Sequence, residues 1–317
     1  MLIRPTAPED AEAIIETFNL INADRLSFSA EQYGIWMQEL TVPLRRVAMQ
    51  GEMLLGSFDL VKDPLNRAKG AYQLHLEVSP RAQGRGIGAQ LYRLAESGAE
   101  QNASTILYSK VREDHPPSLK FAKQRGFEPT GHLNRLSRLT VRRANLTGCD
   151  KLQRRVAQDG IRIANLARES ETAVRPAYDE LLQRLYRMSE ETSRDMPGWE
   201  NSEPASFDEW WSHIEGPGRS TRWTWVALRA DEPVGMSRLI VAGKGMAGNG
   251  YTAVTRPFRC RGIARALKVH TIQWAAENGI DWIQAANAGT NAPMLAINRS
   301  LGYEPLPSDI EVAKHLG

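Results

Sequence analysis

Apolar and polar positions alternate from Ala71 to Val78 (AYQLHLEV), the period-two pattern of a half-buried strand. A glycine-rich turn follows, and the period then changes. Ile87, Leu91, Leu94 and Ala95 fall at i, i+4, i+7 and i+8, which predicts a helix with one buried face. The β-branched run from Thr105 to Val111 predicts a second strand. A short helix is expected next, with Pro117 near its start and Gly126 just past its end. Proline suits a first helical turn, and glycine suits the left-handed residue that closes one. Phe127 opens a last strand.

The same order returns later in the chain. A strand is expected over Gly250–Val254, a helix over Gly262–Asn278, a strand over Ile280–Ala286, a helix over Pro293–Leu301 and a strand from Tyr303. With a shift of 176, residues 78–129 align with 254–305 without a gap. Twelve of those 52 positions are identical, against roughly three by chance at average composition. A period this long marks a duplicated domain rather than a solenoid. Ile3-Arg4 and Ile161-Arg162 read as the opening strands of the two copies. From Arg4 to Gly86 is 82 residues and from Arg162 to Gly262 is 100, so the second front half is longer by about 18. The turn-rich stretch Met188–Ser220 is the expected place for the excess. The fold class is α/β (α+β), in domains 1–142 and 159–317 joined by a linker at 143–158.

Two domains also agree with 317 residues. The balance of 40 basic and 37 acidic side chains gives +3. No block of like charge occurs, so a nucleic-acid partner is not expected. No apolar run approaches a membrane span, and Met1–Thr6 lacks the apolar core of a signal peptide. A cytoplasmic protein without membrane association is expected, as a monomer or homodimer. Cys149 and Cys260 stand far apart and the six histidines are scattered, so no metal site is expected. Gly243–Gly248 spells GxGxxG, but it lies between two predicted strands with no helix after it. It reads as a hairpin loop.

The turn Gln83-Gly84-Arg85-Gly86-Ile87-Gly88 stands between a strand and a helix start. Small residues there let backbone N–H groups converge at the positive end of a helix dipole, which suits a phosphate or pyrophosphate. Arg85 and Arg261 add charge. The pattern is neither a P-loop nor a dinucleotide fingerprint.

Gln83-x-x-Gly86-x-Gly88 and Arg259-x-x-Gly262-x-Ala264 both resemble the (Gln/Arg)-x-x-Gly-x-(Gly/Ala) signature of the GNAT superfamily of acyl-CoA N-acyltransferases. Each follows a strand ending at Val78 or Val254, and each precedes a Gly-aromatic pair, Gly126-Phe127 or Gly302-Tyr303. The resemblance covers nearly the whole chain as two tandem copies. It implies a mixed, mostly antiparallel twisted sheet in each copy, flanked by helices, with a splayed central strand pair. It implies acetyl-CoA or another acyl-CoA as donor. Val78, Gln83, Gly84, Arg85, Gly86, Ile87 and Gly88 would hold it in the first copy. Val254, Arg259, Cys260, Arg261, Gly262, Ile263 and Ala264 would do so in the second. Asn287, Asn291 and Asn298 would add amide contacts there, and with those amides the second copy is the expected catalyst. The amine would attack directly in a ternary complex, so the protein supplies proximity, oxyanion stabilisation and a deprotonated amine.

Many members of the superfamily carry a tyrosine acid four residues before the Gly-aromatic pair. Ala122 and Asn298 stand there and neither can act as an acid. The tandem arrangement resembles mycothiol synthase, whose base on the fourth strand would fall at Tyr72 or Gly248. Glu77, with His75 on the same strand face, is the substitute base in the first copy; Tyr251 is the candidate in the second. The insert Met188–Ser220 is acidic and carries Trp199, Trp210 and Trp211. With Asp195 it would wall a site for a small cationic amine by charge and cation–π contact. The expected activity is N-acetyl transfer to a primary amine of a small molecule. A protein N-acetyltransferase and a non-catalytic acyl-CoA-binding protein are the alternatives.

Overall fold

The structure is a computed structural model and describes residues 1–39, 44–62, 70–172, 174–197, 205–216, 218–243 and 245–316. In chain order the first elements are β1 (Leu2–Pro5), α1 (Ala11–Ile21), α2 (Ala30–Glu39), β2 (Leu44–Gln50) and β3 (Met53–Lys62). Then come β4 (Ala71–Val78), α3 (Ile87–Gln101), β5 (Ile106–Arg112), α4 (Pro116–Lys123) and β6 (Glu128–Thr140). The second half holds α5 (Cys149–Gln158), β7 (Ile161–Asn165), α6 (Leu166–Thr172), α7 (Arg175–Ser193), α8 (Phe207–Ser212) and β8 (Thr224–Arg229). It closes with β9 (Glu232–Ala242), β10 (Met246–Val254), α9 (Ile263–Glu277), β11 (Trp282–Ala288), α10 (Ala292–Ser300), β12 (Glu304–Pro305) and β13 (Asp309–His315).

The chain divides into two compact units, and the division is not contiguous. Unit 1 is Met1–Arg135 with Pro307–Gly317; unit 2 is Leu136–Leu306. The expected boundaries 1–142 and 159–317 therefore need correction at both ends. The last strand of the chain pairs inside unit 1, while the second half of β6 serves unit 2. The expected linker 143–158 contains α5, an amphipathic helix whose Cys149 and Val156 are buried against unit 2.

Within unit 1 the strand order is β1-β2-β3-β4-β5-β13-β6. The β4–β5 pair is parallel; its neighbours β3–β4 and β5–β13 are antiparallel. Phe58 and Leu60 of β3 and Leu74 of β4 point to one face, where α3 buries Ile87, Leu91, Ala95 and Ala99 against them. Leu94, expected on that apolar face, is exposed; Tyr92 takes the place beside Leu91 instead. Unit 2 repeats the plan in the order β6-β11-β10-β9-β8-β7, with α9 over β8, β9 and β10. Among the described residues no helix is long and apolar enough to cross a membrane.

Of the GxGxxG segment, Gly243 and Gly245 lie between β9 and β10, as expected for a hairpin, while Met246 to Gly248 already belong to β10. In the insert, α7 and α8 are ordered helices. Trp199, Glu200 and Glu203 lie outside the described residues.

Candidate functional site

Both units contain a forked strand pair. In unit 1, β4 pairs with β5 only at Ala71–Gln73 against Ile106–Tyr108. Beyond that point β4 keeps its ladder to β3, while β5 pairs with β13 on its other side. The main chain from Leu74 to Val78 is left open toward the gap, and Ser109 Oγ donates to Leu74 O at 2.9 Å at the vertex. In unit 2, β10 pairs with β11 at Met246–Gly248 and then parts from it. A bulge at Gly250 shifts the β9–β10 register there. A fork exposes a row of unpaired backbone groups, which an amide-bearing chain can complete.

The glycine turns sit at the mouths of these forks. Gly84 and Gly86 have φ of +75° and +77°, and Gly86 is the residue before the first turn of α3. A side-chain carbon at either position would meet nothing within 4 Å among the described residues, so this side of the turn is open there. Ile87 is buried in the core, which fixes the helix start beneath the loop. Gly88 is close-packed against Phe121 and Val78. Gln83 Nε2 donates to Val78 O at 3.4 Å, and Arg85 Nη2 to Gln50 Oε1 at 3.1 Å.

The unit 2 turn has the same backbone and a different environment. Cys260 holds the place of Gly84 with φ +62°, a left-handed conformation costly for a non-glycine residue. Its thiol is exposed and free. Around Gly262, Leu152 Cδ1 and Arg155 Nη2 of α5 would lie 2.6 and 2.9 Å from an added side-chain carbon. Arg155 also donates to Arg261 O at 3.3 Å, while Arg261 itself turns to Pro257 O and lies over the Phe258 ring. Arg259 Nε donates to Val254 O at 2.9 Å, the contact Gln83 makes in unit 1. Arg259 and Arg256 both ion-pair with Asp195, whose carboxyl they hold down at about 2. Ile263 is buried and Ala264 packs on the same core.

On the face of unit 1 away from α3, period two places Ser57 and Asp59 of β3 beside His75 and Glu77 of β4. Asp59 ion-pairs with Arg45 at 3.5 Å and accepts from Tyr33 Oη at 3.2 Å. Burial, and next the Asp59 charge, raise the Glu77 carboxyl to about 7. His75 is exposed; desolvation by the surrounding protein and then the Lys110 charge lower its pKa to about 4. In unit 2, Tyr251 takes the place of His75. Thr192 Oγ1 donates to Met188 O, so the 2.5 Å contact between Thr192 and Tyr251 has the phenol as donor. Burial raises Tyr251 to about 12. Its proton is committed to α7.

The three asparagines form local bonds. Asn291 caps α10, accepting from Met294 N at 3.3 Å. Asn298 Nδ2 donates to Asn287 Oδ1 at 2.8 Å, and Asn298 Oδ1 is buried without a partner among the described residues. In the insert, Trp210 is core, packed with Tyr186, Phe207 and Trp211. The wall expected from Asp195 and Trp210 is therefore otherwise engaged. A groove of about 950 Å³ along α7, lined by Arg175, Tyr178, Arg187, Phe207 and Trp211 among others, includes no residue of either turn.

Sequence reasoning missed several groups. Lys268 of α9 is 1% exposed, donates to Asn249 Oδ1 at 2.7 Å and lies over the Tyr303 ring; burial lowers it to about 7. A lysine inside a helix whose apolar spacing is otherwise regular was the available signal. Asp59, Tyr33 and Arg45 meet only through cross-strand register and helix packing, which leave no local mark. Gly56 and Gly235 occupy the rungs opposite Val78 and Val254.

The model of the Acetyltransferase (GNAT) family matches the chain twice, over residues 18–127 and 182–303. Among solved structures, the chain is similar to a GCN5-related N-acetyltransferase from Sphaerobacter thermophilus, with TM-score 0.70 and 18% identity over 99% of this chain and 95% of that one. A tandem GNAT protein from the clavulanic acid biosynthesis pathway has TM-score 0.73 and 17% identity over 100% and 98%. A GCN5-related glucosamine N-acetyltransferase region of a fungal GH3 β-N-acetylglucosaminidase has TM-score 0.70 and 17% identity over 98% of this chain and 38% of that one. No curated protein matches the chain.

Proposed function

The chain belongs to the Acetyltransferase (GNAT) family as a tandem pair and is an acyl-CoA N-acyltransferase, and from that premise we propose that unit 1 is the catalytic copy, moving an acetyl group from acetyl-CoA to the primary amine of a small cationic molecule. The observation that carries this reading is the contrast between the two forks. Unit 1 has an open turn with Gly84 and Gly86 unobstructed, and beside its fork stands a carboxyl with a pKa near neutrality. In unit 2, Thr192 of α7 engages Tyr251, Asp195 just beyond α7 engages Arg256 and Arg259, and α5 lies against Gly262.

In this reading the backbone N–H groups at the start of α3 hold the pyrophosphate, with the helix dipole behind them. Main chain between Leu74 and Val78 pairs with the pantetheine arm, and a backbone N–H there polarises the thioester carbonyl. Glu77 takes the proton that the amine nitrogen gives up as its bond to the acetyl carbon forms and the carbon–sulfur bond breaks. A base with a pKa near the working pH combines a useful ionised fraction with enough basicity. The ionised Glu77 attracts an ammonium group, which gives one proton to water so that the neutral amine attacks. Ala122 cannot protonate the leaving thiolate, so that proton comes from water.

Acetyl-CoA titration by calorimetry tests the assignment. Gly86→Glu places bulk and negative charge in the open turn, with Gly86→Ala as control for the strain of a side chain at φ +77°. Gly86→Glu is expected to lose one equivalent of binding and all amine-dependent thiol release. Unchanged binding and turnover would move the chemistry to unit 2.

A further inference from the structure

The two copies pack the same helix against the same strand with different chemistry. In unit 1, Tyr92 of α3 shares a core with Leu74 of β4 and Phe127, and Glu96 follows one turn later. The shift of 176 carries Tyr92 to Lys268, Glu96 to Ile272 and Phe127 to Tyr303. Gly248 pairs with Gln284 as Gln73 pairs with Tyr108, so Asn249 holds the place of Leu74. A lysine, an asparagine and a tyrosine thus stand where unit 1 has a tyrosine, a leucine and a phenylalanine. We propose that the Lys268–Asn249–Tyr303 contact is a pH-sensitive latch: it holds α9 to the vertex of the β10 fork while the amine is neutral, and unit 2 loses stability when the amine takes up a proton.

Lys268 is 1% exposed. Its Nζ and Tyr303 Oη both donate to Asn249 Oδ1 at 2.7 Å, and Nζ lies 5.0 Å from the centre of the Tyr303 ring. Asn249 is the residue before the bulge at Gly250 and just past the β10–β11 pairing, so the contact ties α9 to the point where the fork opens. Among the described residues the Lys268 ammonium has no carboxylate partner. In unit 1 the ammonium beside Tyr92 belongs to Lys314, and it donates to Glu96. Ile272, which stands in the place of Glu96, is buried and offers no such charge. Unit 1 also shows that apolar side chains can fill this position, so the fold itself does not require a lysine there.

One amide and one ring replace little of the hydration that a buried ammonium gives up. Burial alone lowers Lys268 to about 7. The titratable group facing it is Tyr303, whose phenol burial pushes up and keeps neutral. The acids on the elements packed against α9 are Glu232 of β9 and Asp150 of α5, and α9 itself carries Glu277; none acts on the amine, nor do Arg229 of β8, Arg238 of β9 or Arg155 of α5. An ordinary lysine titrates near about 10.4, so between there and neutrality the unfolded chain holds a proton that folded unit 2 lacks. The stability of unit 2 therefore rises with pH across this window and is lost as pH falls through it. The other shifted groups lie outside it: His213 and His270 are lowered and titrate below, while Arg238 stands at about 10 and Tyr251 at about 12. The latch stands on unit 2 alone and does not depend on unit 1 being the catalyst.

The test is urea unfolding of the full chain at constant ionic strength, read by tryptophan fluorescence. Seven of the eight tryptophans lie in unit 2, so the signal follows that unit. For the wild type, the unfolding constant of unit 2 is expected to fall about 20-fold from about pH 7.5 to about pH 9, the signature of close to one proton. Lys268→Met, with native circular dichroism, should be the more stable chain at the lower pH and should change less than about threefold over the same range. A wild-type constant that stays within that threefold, or a Lys268→Met chain that keeps the wild-type change, would overturn the proposal. If Lys268→Met does not fold, the wild-type measurement decides by itself, because the other shifted groups of unit 2 titrate outside the range.

Discussion

Glu77 stands near neutrality because strand register sets it in a low-solvent wall with Asp59 on the same face. Both effects disfavour the charged form, so both push the pKa up. Removing the Asp59 charge must then lower it. Asp59→Asn is expected to shift the ascending limb of the kcat/KM profile toward lower pH by about 0.5–1 unit, since the base ionises sooner. A limb that stays in place or moves up would show that Asp59 does not act on the base. Glu77 was legible in the sequence, because alternation puts it on a strand face beside a glycine turn. Asp59 was not. Its importance comes from what faces it across a hairpin, and register is set by turn geometry and packing rather than by neighbours in sequence.

The recurring element is a strand, a turn of left-handed residues and a helix, and this unit was readable twice. The change of period from two to 3.6, with glycine between, fixed β4, α3, β10 and α9 to within two or three residues, apart from the early start of β10. The clamps on unit 2 were not readable, because Thr192 and Asp195 reach Tyr251 and Arg259 from about 60 residues away in sequence. Each fork also needs a small residue opposite its open strand. A side-chain carbon at Gly56 would lie 2.6 Å from Glu77 O, and one at Gly235 would lie 3.0 Å from Ala253 O. Backbone cannot move aside cheaply, so Gly56→Ala is expected to cost about 1–3 kcal/mol. It should also weaken acetyl-CoA binding, because the obstructed carbonyl lies in the open strand. Gly235→Ala should cost less. Thermal melts of the two variants check this, and an equal or reversed order would contradict the assigned tightness.

At the scale of the molecule, duplication was legible from the 176-residue shift, but the non-contiguous unit boundaries were not. Sequence favoured the second copy as catalyst because of its asparagines; those amides bond to each other or cap a helix. The C-terminal strand belongs to unit 1, where it pairs with β5 along Asp309–His315 and with the start of β6. A chain ending at Leu306 is therefore expected to lose the fold of unit 1 and its acetyl-CoA binding while unit 2 keeps a cooperative melt. A truncated chain with both transitions intact would contradict the unit assignment.

The most direct measurement of the central claim is thiol release from acetyl-CoA with a panel of primary amines, compared among wild type, Glu77→Gln and Tyr251→Phe. Glu77→Gln removes the base without removing the donor site, so kcat/KM should fall on the order of 100-fold or more for every accepted amine. Tyr251→Phe breaks only its bond to Thr192 and should leave turnover within about threefold. The opposite pattern, with Glu77→Gln active and Tyr251→Phe impaired, would place the chemistry in unit 2.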